Sequence, residues 1–209
     1  LITAVEQGIR LINLDGLWEI PIVAALAKGR GRVQPVGVRV VSSVGWSGQF
    51  GLRMDNGEAW SAFEKISQSP ELSARALHLH LGSGVKNAQV YETAVSEVLS
   101  FAEKLKNQLG IEISCFDFGG GFPVSTVRGM DEWDGRMLAY GHPARLALPP
   151  AENDLSKFSA PVIKQVAAYI DRMDINSPEI IFEPGRAITS SAQILLLKVI
   201  AIKERAAGQ

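Results

Sequence analysis

Apolar and polar positions fall into blocks along this chain, and the blocks change period. Short, nearly continuous apolar runs at residues 9–14, 36–41, 76–81, 113–118 and 180–182 predict buried strands. Between them the apolar residues recur at spacings of three and four. The clearest such stripe joins Tyr91, Ala94, Val95, Val98, Phe101, Ala102, Leu105 and Leu109, with Glu92, Glu97, Lys104 and Lys106 off it. Gly110 is its expected C-cap. Residues 17–26, closed by Gly29, predict another helix, as do 58–66 and a stripe of Leu155, Phe158, Val162, Val166, Ile170 and Met173. Residues 3–8 read as a helix end stopped by Gly8, and 42–51 as a polar loop. Residues 122–153 form a long insertion rich in Gly, Pro and charge, a length usually functional or mobile. Residues 192–202 are almost wholly apolar and predict a last strand.

Strand and helix alternate from residue 9 to Arg186, which predicts a parallel sheet with crossover helices. The polar, glycine-rich segments follow the strands' C-terminal ends, where α/β folds carry their sites. Five such units are fewer than the eight of a closed barrel. The expected fold is therefore a partial barrel with its early strands absent. Composition leaves this unchanged: 209 residues and an ordinary apolar fraction fit one globular domain. A net charge of −1 without a basic block argues against nucleic acid. No apolar run is long enough to span a bilayer, and no secretory signal is visible. Cys115 is the only cysteine, so no internal disulfide forms and a cytoplasmic location is expected. The chain starts at Leu1 and runs straight into a helical pattern, so it is expected to be cut from something longer.

Three strand ends carry candidate chemistry. In Leu77-His78-Leu79-His80-Leu81-Gly82-Ser83, strand alternation puts both histidines on one face, as core residues or as ligands. Zinc lacks a third ligand of suitable spacing, since His142 lies in the insertion and Cys115 is isolated; no metal is expected. Gly119, Gly120 and Gly121 follow the next strand, as a flexible turn or as backbone donors for an anion. Glu183 and Arg186 follow the fifth, as a salt bridge or as ligand contacts. Together the groups suit a flat, phosphorylated, nitrogen-containing heterocycle, with Arg186 and Ser83 on its phosphate.

The segments His80 to Ser83, Asp117-Phe118-Gly119-Gly120-Gly121-Phe122-Pro123 and Glu183-Pro184-Gly185-Arg186 resemble, in order and spacing, the fold-type III pyridoxal-phosphate decarboxylases. That family includes the diaminopimelate and ornithine decarboxylases, built on an alanine-racemase-like TIM barrel. The resemblance implies pyridoxal 5'-phosphate as cofactor, a small amino-acid substrate and a homodimer. It implies His80 stacked on the cofactor ring, with Ser83, Gly120, Gly121, Gly185 and Arg186 around the phosphate. Glu183 is implied at the pyridine nitrogen; with His80 it makes the catalytic pair. In some members the last arginine also meets the substrate carboxylate. An acidic partner for the ring nitrogen deepens the electron sink, so Glu183 leans toward decarboxylation and away from racemisation. Gln49-Phe50-Gly51-Leu52 resembles a Lys-Phe-Gly loop of the family, with Gln49 in place of lysine.

Two departures qualify the resemblance. The family anchors its cofactor on a lysine in an early strand, and none of Lys28, Lys65, Lys104, Lys198 and Lys203 has that context. A C-terminal β-domain completes the site of the partner subunit in the family, and its motif is not found here. The expected organisation is a barrel fragment at 1–191 and, at 192–209, a strand leading toward that domain. Alone, such a fragment is expected not to turn over, and residues 9–14 are expected to form an uncovered edge. A non-catalytic binding homologue and a racemase-like enzyme are the competing readings. His78 with His80 leans toward a diaminopimelate-type substrate, and Phe122-Pro123 toward an ornithine type.

Overall fold

The computed structural model describes residues 1–46, 48–85, 87–124, 132–142 and 155–189, and the single positions 192, 196, 198 and 200. Most of the strand expected at 192–202, and most of the insertion, lie outside the described residues. The chain runs α1 (Ile2–Glu6), β1 (Ile12–Leu14), α2 (Glu19–Gly29), β2 (Gln34–Val41), β3 (Leu52–Arg53) and α3 (Glu58–Ser67). It continues with β4 (Leu72–Leu79), α4 (Ala88–Leu109), β5 (Cys115–Asp117), α5 (Glu132–Ala139), α6 (Ser156–Met173), β6 (Glu179–Ile181) and α7 (Arg186–Thr189).

All strand pairs are parallel, in the order β1-β2-β4-β5-β6. Five strands are those expected. The sixth, β3, pairs with Val40 and Val41, beyond the stretch of β2 that β1 occupies. Two residues carry no period, so the pattern could not announce it. Helix α5 is also new; it lies within the expected insertion.

Parallel neighbours in register point to the same face of a sheet. Val36, Val38 and Val40 of β2, Leu77 and Leu79 of β4, and Phe116 of β5 are fully or almost fully buried. They belong to a core that includes the α4 stripe and Phe158, Val162, Val166 and Tyr169 of α6. Phe116 stacks on Phe118 and meets the Tyr169 ring edge-on, with centroids 5.9 and 5.8 Å away. Each such ring, fully buried, contributes roughly 1.5–3 kcal/mol of hydrophobic stabilisation. Helix α4 begins where the Asn87 side chain accepts from Gln89 N at 2.9 Å, and it ends at Gly110 with φ of 68°.

The opposite face is polar. Register sets Arg39, His78 and Asp117 side by side on β2, β4 and β5, and Asp15, just past β1, reaches Arg39 at 3.5 Å. Among the described residues β1 pairs only with β2 and β6 only with β5, so both sheet edges are open. Arg10 and Glu179 join those edges by two side-chain hydrogen bonds of 2.6 and 3.0 Å. Both groups are largely in solvent, so the bridge contributes little stability.

Cys115 lies buried on β5, where burial pushes its thiol up to about 11 and the carboxylates of Glu179 and Asp117 add to the effect. It is therefore expected to resist alkylation near neutral pH until the chain unfolds. Reagent uptake with and without denaturant checks this, and rapid labelling of the native chain would contradict it.

Candidate functional site

The site is built around the end of β5. Pairing runs one step past the strand, with Phe118 N donating to Ile181 O at 3.0 Å, and the three glycines follow. They wedge between two neighbouring strand ends. A Cβ at Gly119 would strike the Leu79 carbonyl, one at Gly120 the Glu183 carbonyl, and one at Gly121 the Gly82 carbonyl. Only glycine allows this approach.

The triplet is also tied on every side. The carbonyl of Gly119 accepts from Glu183 N at 2.8 Å, that of Gly121 from Val85 N at 2.8 Å, and that of Gly120 from the Tyr91 hydroxyl. Gly119 N donates to Asp117 Oδ1 at 3.0 Å, and Gly120 N points to His80 Nδ1 at 3.4 Å. Among the described residues the Gly121 N–H has no acceptor. The Gly120 carbonyl, held by the Tyr91 hydroxyl, fixes the plane of the peptide group that carries this donor. This is a fixed cradle, not the flexible turn that a bare glycine run usually makes.

His80 follows β4 directly and borders a cavity of about 550 Å³ with Arg39, Trp46, Phe50, Leu81, Gly82 and Ser83. With Nδ1 as acceptor, its neutral ring carries the proton on Nε2. The loop after β2 closes one wall, with Trp46 N donating to Leu81 O at 3.0 Å. Arg39 lies over the Phe50 ring at 4.9 Å, and Gly51 N donates to Asp15 Oδ1 at 3.1 Å. Ser83 is exposed at the rim.

Glu183, Gly185 and Arg186 follow β6 at the same end of the sheet. Gly185 has φ of 43°, and exposed Arg186 opens α7. Among the described residues Glu183 pairs with His78, Nε2 to Oε2 at 3.9 Å, and not with Arg186. The salt bridge considered for that strand end is thus not made.

His80 lines the cavity together with Arg39, the register neighbour of His78, while neither ring nitrogen of His78 has a hydrogen-bond partner. Ligating atoms of His78, Asp117 and Glu183 all lie within 4.8 Å of one another. The sequence showed no further ligand near the histidines, because Asp117 and Glu183 arrive from other strands. Burial holds the His78 ring below its ordinary pKa, opposed by the Glu183 carboxylate, and burial raises Asp117 against the Gly119 N–H.

Sequence reasoning missed Arg39, Asp15 and the task of Tyr91. Arg39 had a signal: it is a lone charge inside a valine run, and alternation sends it to the face opposite Val38 and Val40. Tyr91 had none, because its position counts as core and its hydroxyl finds Gly120 only in the fold.

Over residues 1–190 the chain matches the family model described as pyridoxal-dependent decarboxylase, pyridoxal binding domain. The chain belongs to this family. It is 29% identical over 208 residues to diaminopimelate decarboxylase of Actinosynnema pretiosum subsp. auranticum, covering 96% of this chain and 42% of that protein. It is 29% identical over 200 residues to biosynthetic arginine decarboxylase of Geobacter sp. (strain M21), covering 90% of this chain and 29% of the relative. In fold it is similar to the crystal structure of diaminopimelate decarboxylase from M. jannaschii in complex with L-lysine, with a TM-score of 0.70 and 22% identity. That match covers 89% of this chain and 40% of the other. The chain therefore spans about two fifths of the diaminopimelate decarboxylases and less of the arginine decarboxylase, and its parallel α/β sheet is the incomplete barrel the strand pattern predicts. No helix among the described residues is long and apolar enough to cross a membrane.

Proposed function

We propose that this chain supplies the cofactor-binding face of a pyridoxal 5'-phosphate-dependent amino-acid decarboxylase. The observation that carries the reading is the cradle: Gly119 to Gly121 lie between His80 and Glu183, hydrogen-bonded to both segments. A cavity of about 550 Å³ beside it has room for a small phosphorylated ring.

In this reading the Gly121 N–H, the Ser83 hydroxyl, Gly185 and the Arg186 guanidinium bind the phosphate, while the Gly120 N–H, the other donor expected there, is spent on His80 Nδ1. His80, its tautomer set by the Gly120 N–H, presents a flat ring face to the cofactor. Glu183 takes the ring nitrogen and keeps it protonated. Bound there, the cofactor supplies an electron sink for the carbon that loses carbon dioxide. Trp46 and Phe50 form an apolar wall, and Arg39, held by Asp15, lines the same cavity. The substrate is a basic amino acid of the diaminopimelate or ornithine/lysine type, and the working protein is a homodimer in a reducing cytoplasm.

A second reading, cofactor binding without chemistry, rests on the lysines, none of which stands in the family's anchoring context. Glu183 argues against a racemase-like enzyme. Equilibrium binding of pyridoxal phosphate and of inorganic phosphate to the purified chain tests the proposal. Both should bind, and Arg186→Ala should weaken both by about tenfold or more, the scale of a lost hydrogen bond to a charged group. Absence of binding, or indifference to Arg186→Ala, would count against it. Borohydride reduction separates the two readings: a lysine adduct within this chain would remove the support for the second.

A further inference from the structure

His78 has no task in that scheme. Both its ring nitrogens are enclosed and lack a hydrogen-bond partner. A neutral imidazole carries one donor and one acceptor, and leaving both unmet indoors is costly. Two groups stand within reach. Asp117 is its register neighbour on β5, and Glu183 hangs from the end of β6 with its carboxylate 3.9 Å away. The Glu183 side chain is half exposed and, among the described residues, makes no hydrogen bond of its own, so a small rotation brings its oxygen into hydrogen-bond range.

We propose that His78 is a positioning residue for Glu183: its Nε2–H donates to one carboxylate oxygen and holds the other toward the cofactor's ring nitrogen. This rests on the reading of Glu183 given above. Burial lowers the His78 pKa and so favours the neutral ring, which has an Nε2–H to give to Glu183. The other titratable or charged groups near the ring are Arg39, held by Asp15, and the His80 imidazole. His78 thereby acts as a neutral donor and leaves the negative charge on Glu183 for the pyridinium.

Two measurements test the proposal. In the cofactor-free chain, nitrogen NMR of the labelled His78 ring should show the Nε2–H tautomer. In Glu183→Gln its titration should move lower, because the carboxylate that favours its protonated form is gone. An unchanged tautomer and titration would overturn the coupling. With pyridoxal phosphate labelled at the ring nitrogen, His78→Leu should lose the protonated-ring signal and bind about tenfold more weakly. His78→Gln, whose amide N–H reaches a similar point, should restore both. Wild-type affinity and a protonated ring in His78→Leu would overturn the proposal as well. A chain that binds no pyridoxal phosphate would sink the functional reading, while the first measurement still decides the His78–Glu183 coupling.

Discussion

Gly121→Ala is expected to destabilise the chain by roughly 2–4 kcal/mol and to remove pyridoxal phosphate binding. Two effects add. At φ of 87° the backbone is left-handed, which costs an alanine about 1–2 kcal/mol. The new Cβ also runs into the Gly82 carbonyl, which is backbone and cannot swing aside. Relief requires moving the triplet away from the end of β4, which breaks the Val85 N bond to Gly121 O and displaces the Gly121 N–H. Gly57→Ala is the matched control. Its φ of 90° is just as left-handed, but nothing lies within 4 Å of its Cβ. It should show only the backbone cost and leave cofactor affinity intact. Urea unfolding midpoints and pyridoxal phosphate titrations of the two variants measure the difference. Equal losses in both would mean that the close approach at Gly121 is not what shapes the cradle.

What the sequence revealed and what it hid follow from how local each signal is. The α4 helix was legible to within a few residues, because stripe, cap and C-terminal glycine all lie within it. Strand existence was legible and strand ends were not. The fourth strand was expected at residues 76–81 and runs Leu72–Leu79. Its first half has no continuous apolar run; residues 72–74 join the sheet because they pair with residues 34–36 of β2. Its expected last residues leave the sheet before Gly82 turns at φ of 107°, and the Leu81 carbonyl is taken by Trp46. The first strand shrinks from residues 9–14 to Ile12–Leu14 for a similar reason. Ile9 lies 47% exposed, outside the register with β2.

The three site segments were legible because each follows a buried run in the sequence itself. Their mutual arrangement was not, since a hydrogen bond from Glu183 N to Gly119 O joins residues 64 positions apart. The inner polar layer of Asp15, Arg39, His78 and Asp117 takes one residue from each of four strand segments. Within each strand such a residue reads as an isolated polar exception. Only the parallel register turns four exceptions into one surface, and that surface is where Glu183 finds His78.

The last expected result separates the two charged residues after β6. In a protein carrying both this barrel and the family's anchoring lysine, Glu183→Gln should slow decarboxylation by about a hundredfold or more. That is the scale seen when a preorganised electrostatic contact is lost. A carboxylate beside the ring nitrogen makes a charge-assisted hydrogen bond that keeps the ring protonated, and a neutral amide does this poorly. Cofactor affinity should fall by about tenfold at most, because the phosphate contacts do not involve the Glu183 side chain. Arg186→Ala should do the reverse and loosen cofactor or substrate before it changes the chemical step. Among the described residues the two side chains do not pair with each other, so neither substitution strands the other's charge. The effects should therefore be separable and nearly additive in the double variant. Cofactor titration and single-turnover decarboxylation in all three variants give the comparison. Normal chemistry in Glu183→Gln would reduce Glu183 to a backbone anchor for Gly119, and the role assigned to His78 would lose its object.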